Sequence, residues 1–252
     1  MISVKTRDQI EQMRLAGRLV AETLDLVERM IRPGMKTAEL DKMAEEFIRA
    51  HGAEPAFKGY LDYPATLCIS VDDVVVHGIP GERELREGQI VSVDVGVCRD
   101  GWYGDAARTL KIGEVPSAAE RLMSVTQEAL RRGIAQARSG HRLGDISAAV
   151  QTYAEENGYS VVRDLVGHGI GRKMHEEPQV PNFGRPHTGP TLKPGIVLAI
   201  EPMINAGGPR IQFDADKWTV RTADGSLSAH FEHTVAITEN GPDVLTVVAG
   251  GV

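Results

Sequence analysis

Apolar residues recur at helical spacing in four segments of the chain, and Gly or Pro residues follow these segments. The first segment runs from Arg7 to Ile31, and Thr6 with Gln9 forms a capping-box pattern at its start. Pro33-Gly34 ends this helix. The pattern predicts three further helices: one from Thr37 to Ala50, one from the capping-box pattern Ser117-Ala-Ala-Glu120 to before Gly140, and one after Asp145 to Gly158.

Two of these helices lie in segments that repeat in register. RPGMKTAELDKMAEEFIRAHG, from Arg32, aligns without a gap with RSGHRLGDISAAVQTYAEENG, from Arg138. LREGQIVSVD and LKPGIVLAIE also align, and a His-Gly-Ile triplet stands before each of them, at His77 and His168. Because three matches occur in the same order, the sequence predicts an internal duplication with halves of about 7–112 and 117–248.

Two units of helix, helix and strands are expected to form an α+β fold. A sheet-containing layer covered by helices would bury the apolar faces of both, with a pseudo-two-fold axis between the halves. The chain has no low-complexity segment or linker between the halves. A single catalytic domain over residues 1–252, with its site at the axis, is therefore predicted.

The strand IVSVDVGV places a charge in the middle of an apolar run. Its valines share one face, so Asp94 points to the opposite face. Arg99-Asp100-Gly101 then supplies a turn, after which the chain returns with Asp105. A hairpin loop with an even number of residues puts the two carboxylates on the same face, close together.

Glu201 and Glu232 extend this acidic set, since each also follows or enters an apolar strand. Four carboxylates that converge must share protons or a cation. With one imidazole from His168, the set suits a pair of divalent ions such as Mn, Fe, Co or Zn better than Ca. The alternative is that each acid is a surface residue or an ion-pair partner.

Composition narrows the class of protein. The formal net charge of −7 argues against a DNA-binding surface, which needs clustered Lys and Arg. The first residues carry charges and no apolar signal core, and no stretch approaches the ~20 apolar residues of a membrane span. The two cysteines are too few for a disulfide framework. A cytoplasmic protein with reduced thiols is expected.

Several motifs together resemble one family. VVVHGIP, VDVG with YGDAART, GHGIGRKMHEEPQVPNF, AIEPM and SLSAHFEHTVAIT occur in the order found in the type I methionine aminopeptidases, in their short bacterial-like form. The resemblance covers nearly the whole chain. It implies the pita-bread (creatinase/aminopeptidase) fold, with two pseudo-symmetric halves and a curved antiparallel sheet covered by helices. It also implies five metal ligands: Asp94, Asp105, His168, Glu201 and Glu232.

The resemblance further implies a metallo-exopeptidase that removes the N-terminal methionine from nascent proteins when the second residue is small. By position in the motifs, His77 would hydrogen-bond the substrate amide, His175 would stabilise the oxyanion, and Glu201 would relay the proton. A methionine pocket would be lined by residues that match the family's pocket positions: Tyr60, Tyr63, Cys68, Met174 and Trp218, with Phe57 nearby. Four histidines carry no such argument and are interpreted as structural or solvent-facing: His141, His187, His230 and His233. Glu176 and Glu177 are interpreted as loop charges.

Two residues depart from the family pattern. Met174 stands where an aromatic residue is common, and Asp72 stands where an Asn usually lies near a monovalent-cation site. The resemblance also implies a monomer that meets nascent chains at the ribosome. Two alternatives remain: an Xaa-Pro aminopeptidase or dipeptidase on the same fold, and a non-catalytic binding protein that has lost its metals.

Overall fold

The structure is a computed structural model and describes residues 1–248. Four α-helices account for most of the helical content: α1 (Arg7–Met30), α2 (Thr37–Ala50), α3 (Ser117–Gln136) and α4 (Leu143–Glu156). A short 3-10 helix covers Tyr60–Asp62. None of the helices within residues 1–248 is both long and apolar enough to cross a membrane.

Within residues 1–248, fifteen strands follow the two pairs of helices, five after α2 and ten after α4. The first half contains β1 (Glu54–Pro55), β2 (Leu67–Val71), β3 (Val74–Val76), β4 (Ile90–Arg99) and β5 (Trp102–Lys111). The second half contains β6 (Ser160–Val161), β7 (Val166–Gly169), β8 (Glu176–Pro181), β9 (Val197–Ile200), β10 (Met203–Asn205), β11 (Ile211–Phe213), β12 (Val220–Thr222), β13 (Ser228–His230), β14 (His233–Thr238) and β15 (Gly241–Val244).

Two larger antiparallel sheets form the framework. In the first half, β4 pairs with β1, β2 and β5. In the second half, five strands lie in the order β15-β14-β9-β7-β8. The apolar faces of α1 and α2 pack on the valines of β4, while α3 and α4 pack over strands of the second half. The mixed helix and antiparallel sheet content agrees with the α+β fold predicted from the sequence.

Some helix ends agree with the prediction from the sequence and others differ from it. The Thr6–Gln9 capping box and the bounds of α2 agree with the prediction. The capping box predicted at Ser117 is wrong, because Ser117 is already helical and the carbonyl of Pro116 accepts from the first turn instead. The fourth helix begins two residues before Asp145, whose side chain accepts from the N–H of Arg142 and so caps it.

The two halves share local hydrogen bonding at equivalent positions. Gly34 N–H donates to the carbonyl of Leu85, and Gly140 N–H donates to the carbonyl of Leu192. The isolated bridges Lys36↔Glu84 and Arg142↔Thr191 repeat this correspondence just before α2 and α4. These paired contacts support the proposed duplication.

The halves are joined by the pairing of β3 with β12 and by a seam between β5 and the segment entering β14. Ala107 and Glu232 exchange backbone hydrogen bonds, with N···O distances of 3.4 and 3.0 Å. Beside them, the Thr234 hydroxyl donates to the Asp105 carbonyl at 2.8 Å and accepts from the Asp105 N–H at 3.0 Å. The backbone around two predicted metal ligands is therefore fixed across the seam.

Candidate active site

A cavity of about 320 Å³ opens at the seam. Its wall contains the five predicted metal ligands, both predicted substrate histidines, and four of the five predicted pocket residues: Asp94, Asp105, His168, Glu201, Glu232, His77, His175, Tyr60, Tyr63, Cys68 and Trp218. Phe57 and Leu61 complete it. Residues from both halves thus surround one small space.

The β4–β5 hairpin brings the first two carboxylates together. Its turn is Asp100-Gly101, and both residues have positive φ (52° and 73°), as a two-residue hairpin turn requires. Asp94 lies opposite Ala107, and Asp105 lies opposite Gly96. The acids are therefore diagonal neighbours on one face, which confirms the predicted parity of the hairpin.

His168 is oriented by its own strand. Its Nδ1 lies 2.9 Å from the carbonyl of Gly169, which can only accept, so Nδ1 carries the proton. Nε2 therefore presents a lone pair, 3.7 Å from an oxygen of Asp105 and 3.7 Å from an oxygen of Glu201. Burial lowers the pKa of His168 to about 4, so the ring is neutral at pH 7. This is the state in which an imidazole binds a metal.

Oxygen atoms aimed into the cavity lack protein partners. Asp94 Oδ1, Asp105 Oδ1 and Glu232 Oε1 are buried and accept no hydrogen bond from any residue between 1 and 248. Asp105, His168 and Glu232 each offer a ligand atom, and these three atoms lie within 4.8 Å of one another. Unsatisfied buried carboxylates beside a neutral imidazole fit a divalent cation.

Burial raises the pKa of all four carboxyl groups. Burial raises the pKa of Asp105 to about 8, although a hydrogen bond with Asp94 and the N–H of Ala106 oppose this shift. Burial, and then the neighbouring carboxylates, raise the pKa of Asp94, Glu201 and Glu232 well above the ordinary range. Without a cation the site would therefore hold protons at neutral pH.

The two predicted substrate histidines stand at different depths. His77 has a positive φ of 60°, which follows from the sharp turn after β3, and its ring faces the edge of Trp218. His175 is exposed at the mouth, where its Nδ1 lies 2.9 Å from the Tyr60 hydroxyl and its ring centroid lies 4.2 Å from that of His168. Partial removal of the rings from water, and then a neighbouring histidine, lower the pKa of both to about 4, although the His175 residue as a whole is exposed.

An apolar pocket adjoins the acids. Tyr63 is 3% exposed, and its hydroxyl contacts the carbonyls of Leu67 and Gly78 at 3.0 and 3.1 Å. Its ring meets that of Trp218 edge-on, with centroids 5.0 Å apart. Burial, and then the charge of Asp94, raise the pKa of Cys68 well above its usual value, so this thiol stays neutral.

The residues that line this cavity do not include Met174, so its place in the methionine pocket stays a prediction. Met174 is 2% exposed and lies close to the pocket residue Phe57, because a Cβ built on Gly96 would lie 2.9 Å from Met174 Cε and 2.7 Å from Phe57 Cε1. Leu61, with a positive φ of 48°, lines the cavity instead and carried no signal in the sequence.

Three residues have surroundings that the sequence did not reveal. His230, interpreted as structural or solvent-facing, is 1% exposed, and its Nε2 lies 3.9 Å from Glu201. Glu176, interpreted as a loop charge, pairs with the buried Lys5 at 2.7 Å. The carboxylate of Asp72 accepts from Gln89 Nε2 at 2.7 Å and from the N–H of Ile90.

Comparison with known proteins identifies the arrangement. Residues 11–239 match the model of metallopeptidase family M24. The chain is 55% identical to the methionine aminopeptidase of Clostridium perfringens, over 98% of this chain and 100% of the relative. It is 50% identical to methionine aminopeptidase 1 of Bacillus subtilis, with the same coverage.

Solved structures agree with these sequence matches. The crystal structure of methionine aminopeptidase from Rickettsia prowazekii superposes with a TM-score of 0.97 at 46% identity, over 98% of this chain and 100% of that one. The prolidase from Pyrococcus horikoshii shares the fold alone, with a TM-score of 0.80, 21% identity and 63% of its own length covered. The predicted pita-bread fold is confirmed, and the chain belongs to the methionine aminopeptidases of metallopeptidase family M24.

Proposed function

We propose that this protein removes the N-terminal methionine from nascent polypeptides whose second residue is small. The observation that carries the proposal is the convergence of four acids and the neutral His168 beside one small apolar pocket. Relatives of 50–55% identity over the whole chain are named methionine aminopeptidases. A cavity of about 320 Å³ is at the lower end of small-ligand sites, which suits a single side chain.

Asp94, Asp105, His168, Glu201 and Glu232 are the proposed ligands of two divalent ions. When bound, such ions supply Lewis acidity, which polarises a carbonyl oxygen and makes water nucleophilic at neutral pH. The donor set of carboxylates and one imidazole suits Mn, Fe, Co or Zn. The ligands come from both halves, so the site is complete within one chain and a monomer suffices.

The remaining steps use this chain's own groups. Glu201 would take a proton from the attacking water and return it to the leaving amine, because an ionised carboxylate at the reacting centre can accept and give back a proton. His77 is neutral and accepts from the substrate amide N–H. His175 donates through Nε2–H to the developing oxyanion, which requires the Tyr60 hydroxyl to donate to Nδ1.

The apolar pocket would hold the methionine side chain against Phe57, Tyr63, Cys68 and Trp218. A thioether is polarizable and packs well on aromatic rings. Because the substrate is the amino terminus of a growing chain, the proposed activity places the protein in the cytoplasm, in transient contact with the ribosome. The acidic net charge of −7 provides no support for a DNA substrate.

A peptide assay tests the proposal. The metal-free protein is reconstituted separately with Mn²⁺ and Co²⁺ and given Met-Ala-Ser, Met-Lys-Ser and an Xaa-Pro peptide. Cleavage of Met-Ala-Ser alone is expected, because a bulky second residue would not fit beside the metal site. Hydrolysis of the Xaa-Pro peptide without turnover of Met-Ala-Ser would refute the assignment in favour of a prolidase-like activity. Metal binding without turnover of any peptide would favour a binding protein.

A further inference from the structure

The segment between β7 and β8 carries His175 but has little regular structure of its own. Residues 170–175 form a turn that reverses the chain between these paired strands. Met174 is buried, whereas His175 is exposed and reaches across the mouth of the cavity to Tyr60. The position of the His175 ring therefore depends on what holds this turn.

Glu176 holds the turn from inside. Its Oε1 accepts the backbone N–H groups of Arg172 and Lys173 at 2.8 and 3.2 Å, and its Oε2 accepts from Lys5 Nζ at 2.7 Å. Burial alone would raise the pKa of Glu176, but the hydrogen bond and charge of Lys5, with the two N–H groups, lower it. The carboxylate is thus ionised and bonded at both oxygens.

Lys5 comes from the segment before α1, 171 residues away in the sequence. Its side chain is only 3% exposed, and its backbone N–H donates to the carbonyl of Gly195 at 2.7 Å. Glycines make room for it, because a Cβ on Gly171 would lie 2.5 Å from Lys5 Cε and a Cβ on Gly195 would lie 2.5 Å from the Lys5 carbonyl. The ammonium group therefore occupies a fitted space beneath the turn.

We propose that Lys5 and Glu176 are positioning residues for His175. A buried carboxylate that loses its ammonium partner must find water or turn outward. Either change releases the N–H groups of Arg172 and Lys173 and shifts the turn. His175 then moves relative to Tyr60 and His168, while the proposed metal ligands on the strands keep their positions. The inference rests on the proposed function, because it assumes that His175 acts on the reacting carbonyl.

The variant Lys5→Met keeps the aliphatic stem and removes the charge. Lys173→Met is the matched control, since Lys173 is exposed on the same turn and only its backbone contacts Glu176. For K5M, kcat on Met-Ala-Ser should fall about 10- to 100-fold, the scale expected for a misplaced catalytic group. KM and the affinity for Mn²⁺ by calorimetry should stay within about twofold. K173M should match the wild type.

Histidine side-chain NMR on the metal-free protein provides a readout that is independent of turnover. K5M should shift the His175 imidazole signals and leave those of His77 in place. If K5M does not fold, Glu176→Gln keeps an oxygen for the backbone N–H groups but loses the ion pair, and it should show the same loss of kcat. Wild-type kcat and unshifted His175 signals in either variant would overturn the proposal. If the wild type does not cleave Met-Ala-Ser, the proposed function fails, whereas the NMR comparison still decides whether Lys5 positions His175.

Discussion

The hydroxyl of Tyr60 lies 2.9 Å from Nδ1 of His175, and this contact joins a loop of the first half to the exposed histidine of the second. Tyr60 was predicted only as a wall of the methionine pocket. The distance gives it a second role, because a hydroxyl that donates to Nδ1 leaves the proton of His175 on Nε2. That is the tautomer which can donate toward the substrate.

Replacing Tyr60 with Phe should therefore lower kcat. The ring remains in the pocket wall, so methionine binding is retained, but the tautomer of His175 is no longer fixed. The expected loss in kcat for Met-Ala-Ser is about tenfold, and KM should change less than about threefold. Tyr60→Ala provides the comparison. It also removes the ring from the pocket wall and should therefore raise KM as well. Equal kcat in wild type and Y60F would show that the contact does not act in catalysis.

Replacing Asp105 with Asn should remove metal binding and turnover together. Asp105 offers a ligand atom close to those of His168 and Glu232. Loss of a ligand should weaken metal affinity by more than the roughly 10- to 100-fold caused by loss of a group that only orients a ligand. Calorimetry with Mn²⁺ should show affinity weakened by more than about 100-fold. Glu82→Gln, at an exposed acid of the surface, is the control. Retained activity in D105N would contradict the proposed metal site.

The metal-free protein should become less stable as pH rises. The pKa of Asp105 is about 8 in the folded state and about 4 when the chain is unfolded. Below pH 4 both states are protonated; between pH 4 and 8 the folded state binds more protons than the unfolded state, so the free energy of unfolding falls. The site histidines, whose pKa values are lowered to about 4, oppose this trend only below about pH 6.5. The melting temperature without metal should therefore drop from pH 7 to pH 8, and added Mn²⁺ should reverse the drop.

The same argument gives D105N the opposite behaviour. Its amide carries no charge, so the metal-free variant should melt at a higher temperature than the metal-free wild type at pH 8, and the difference should shrink at pH 5. A metal-free wild type that is more stable at pH 8 than at pH 7 would show that the acids are not held protonated by burial.

Replacing Gly96 with Ala should narrow the methionine pocket. The new Cβ would lie 2.7 Å from Phe57 Cε1 and 2.9 Å from Met174 Cε, so the aromatic ring must move. KM for Met-Ala-Ser should rise on the order of tenfold with little change in Mn²⁺ affinity, since a single methyl group is worth this much in an apolar pocket. Gly81→Ala is the matched control, because a Cβ there meets nothing within 4 Å.

The sequence was most informative where chemistry follows from local geometry. Strand alternation and a two-residue turn are enough to place Asp94 and Asp105 on one face. The cap of α3 was mispredicted because Pro116 provides its carbonyl where a Ser side chain was expected.

Residues whose roles depend on distant partners escaped prediction. Glu176 becomes informative only when Lys5, 171 residues earlier, is seen against it. His230 likewise lies beside Glu201 because β10, which follows Glu201, pairs with β13, which ends at His230.

The hairpin turn at Asp100-Gly101 determines chemistry that occurs several residues away. The turn sets the register of β4 against β5, and each carboxylate owes its direction to that register. An insertion of one residue in the turn would slip β5 and rotate Asp105 to the opposite face of the sheet. The turn lies on the surface, several residues from the proposed metal ligands, yet a change in its length would remove Asp105 from the proposed metal site.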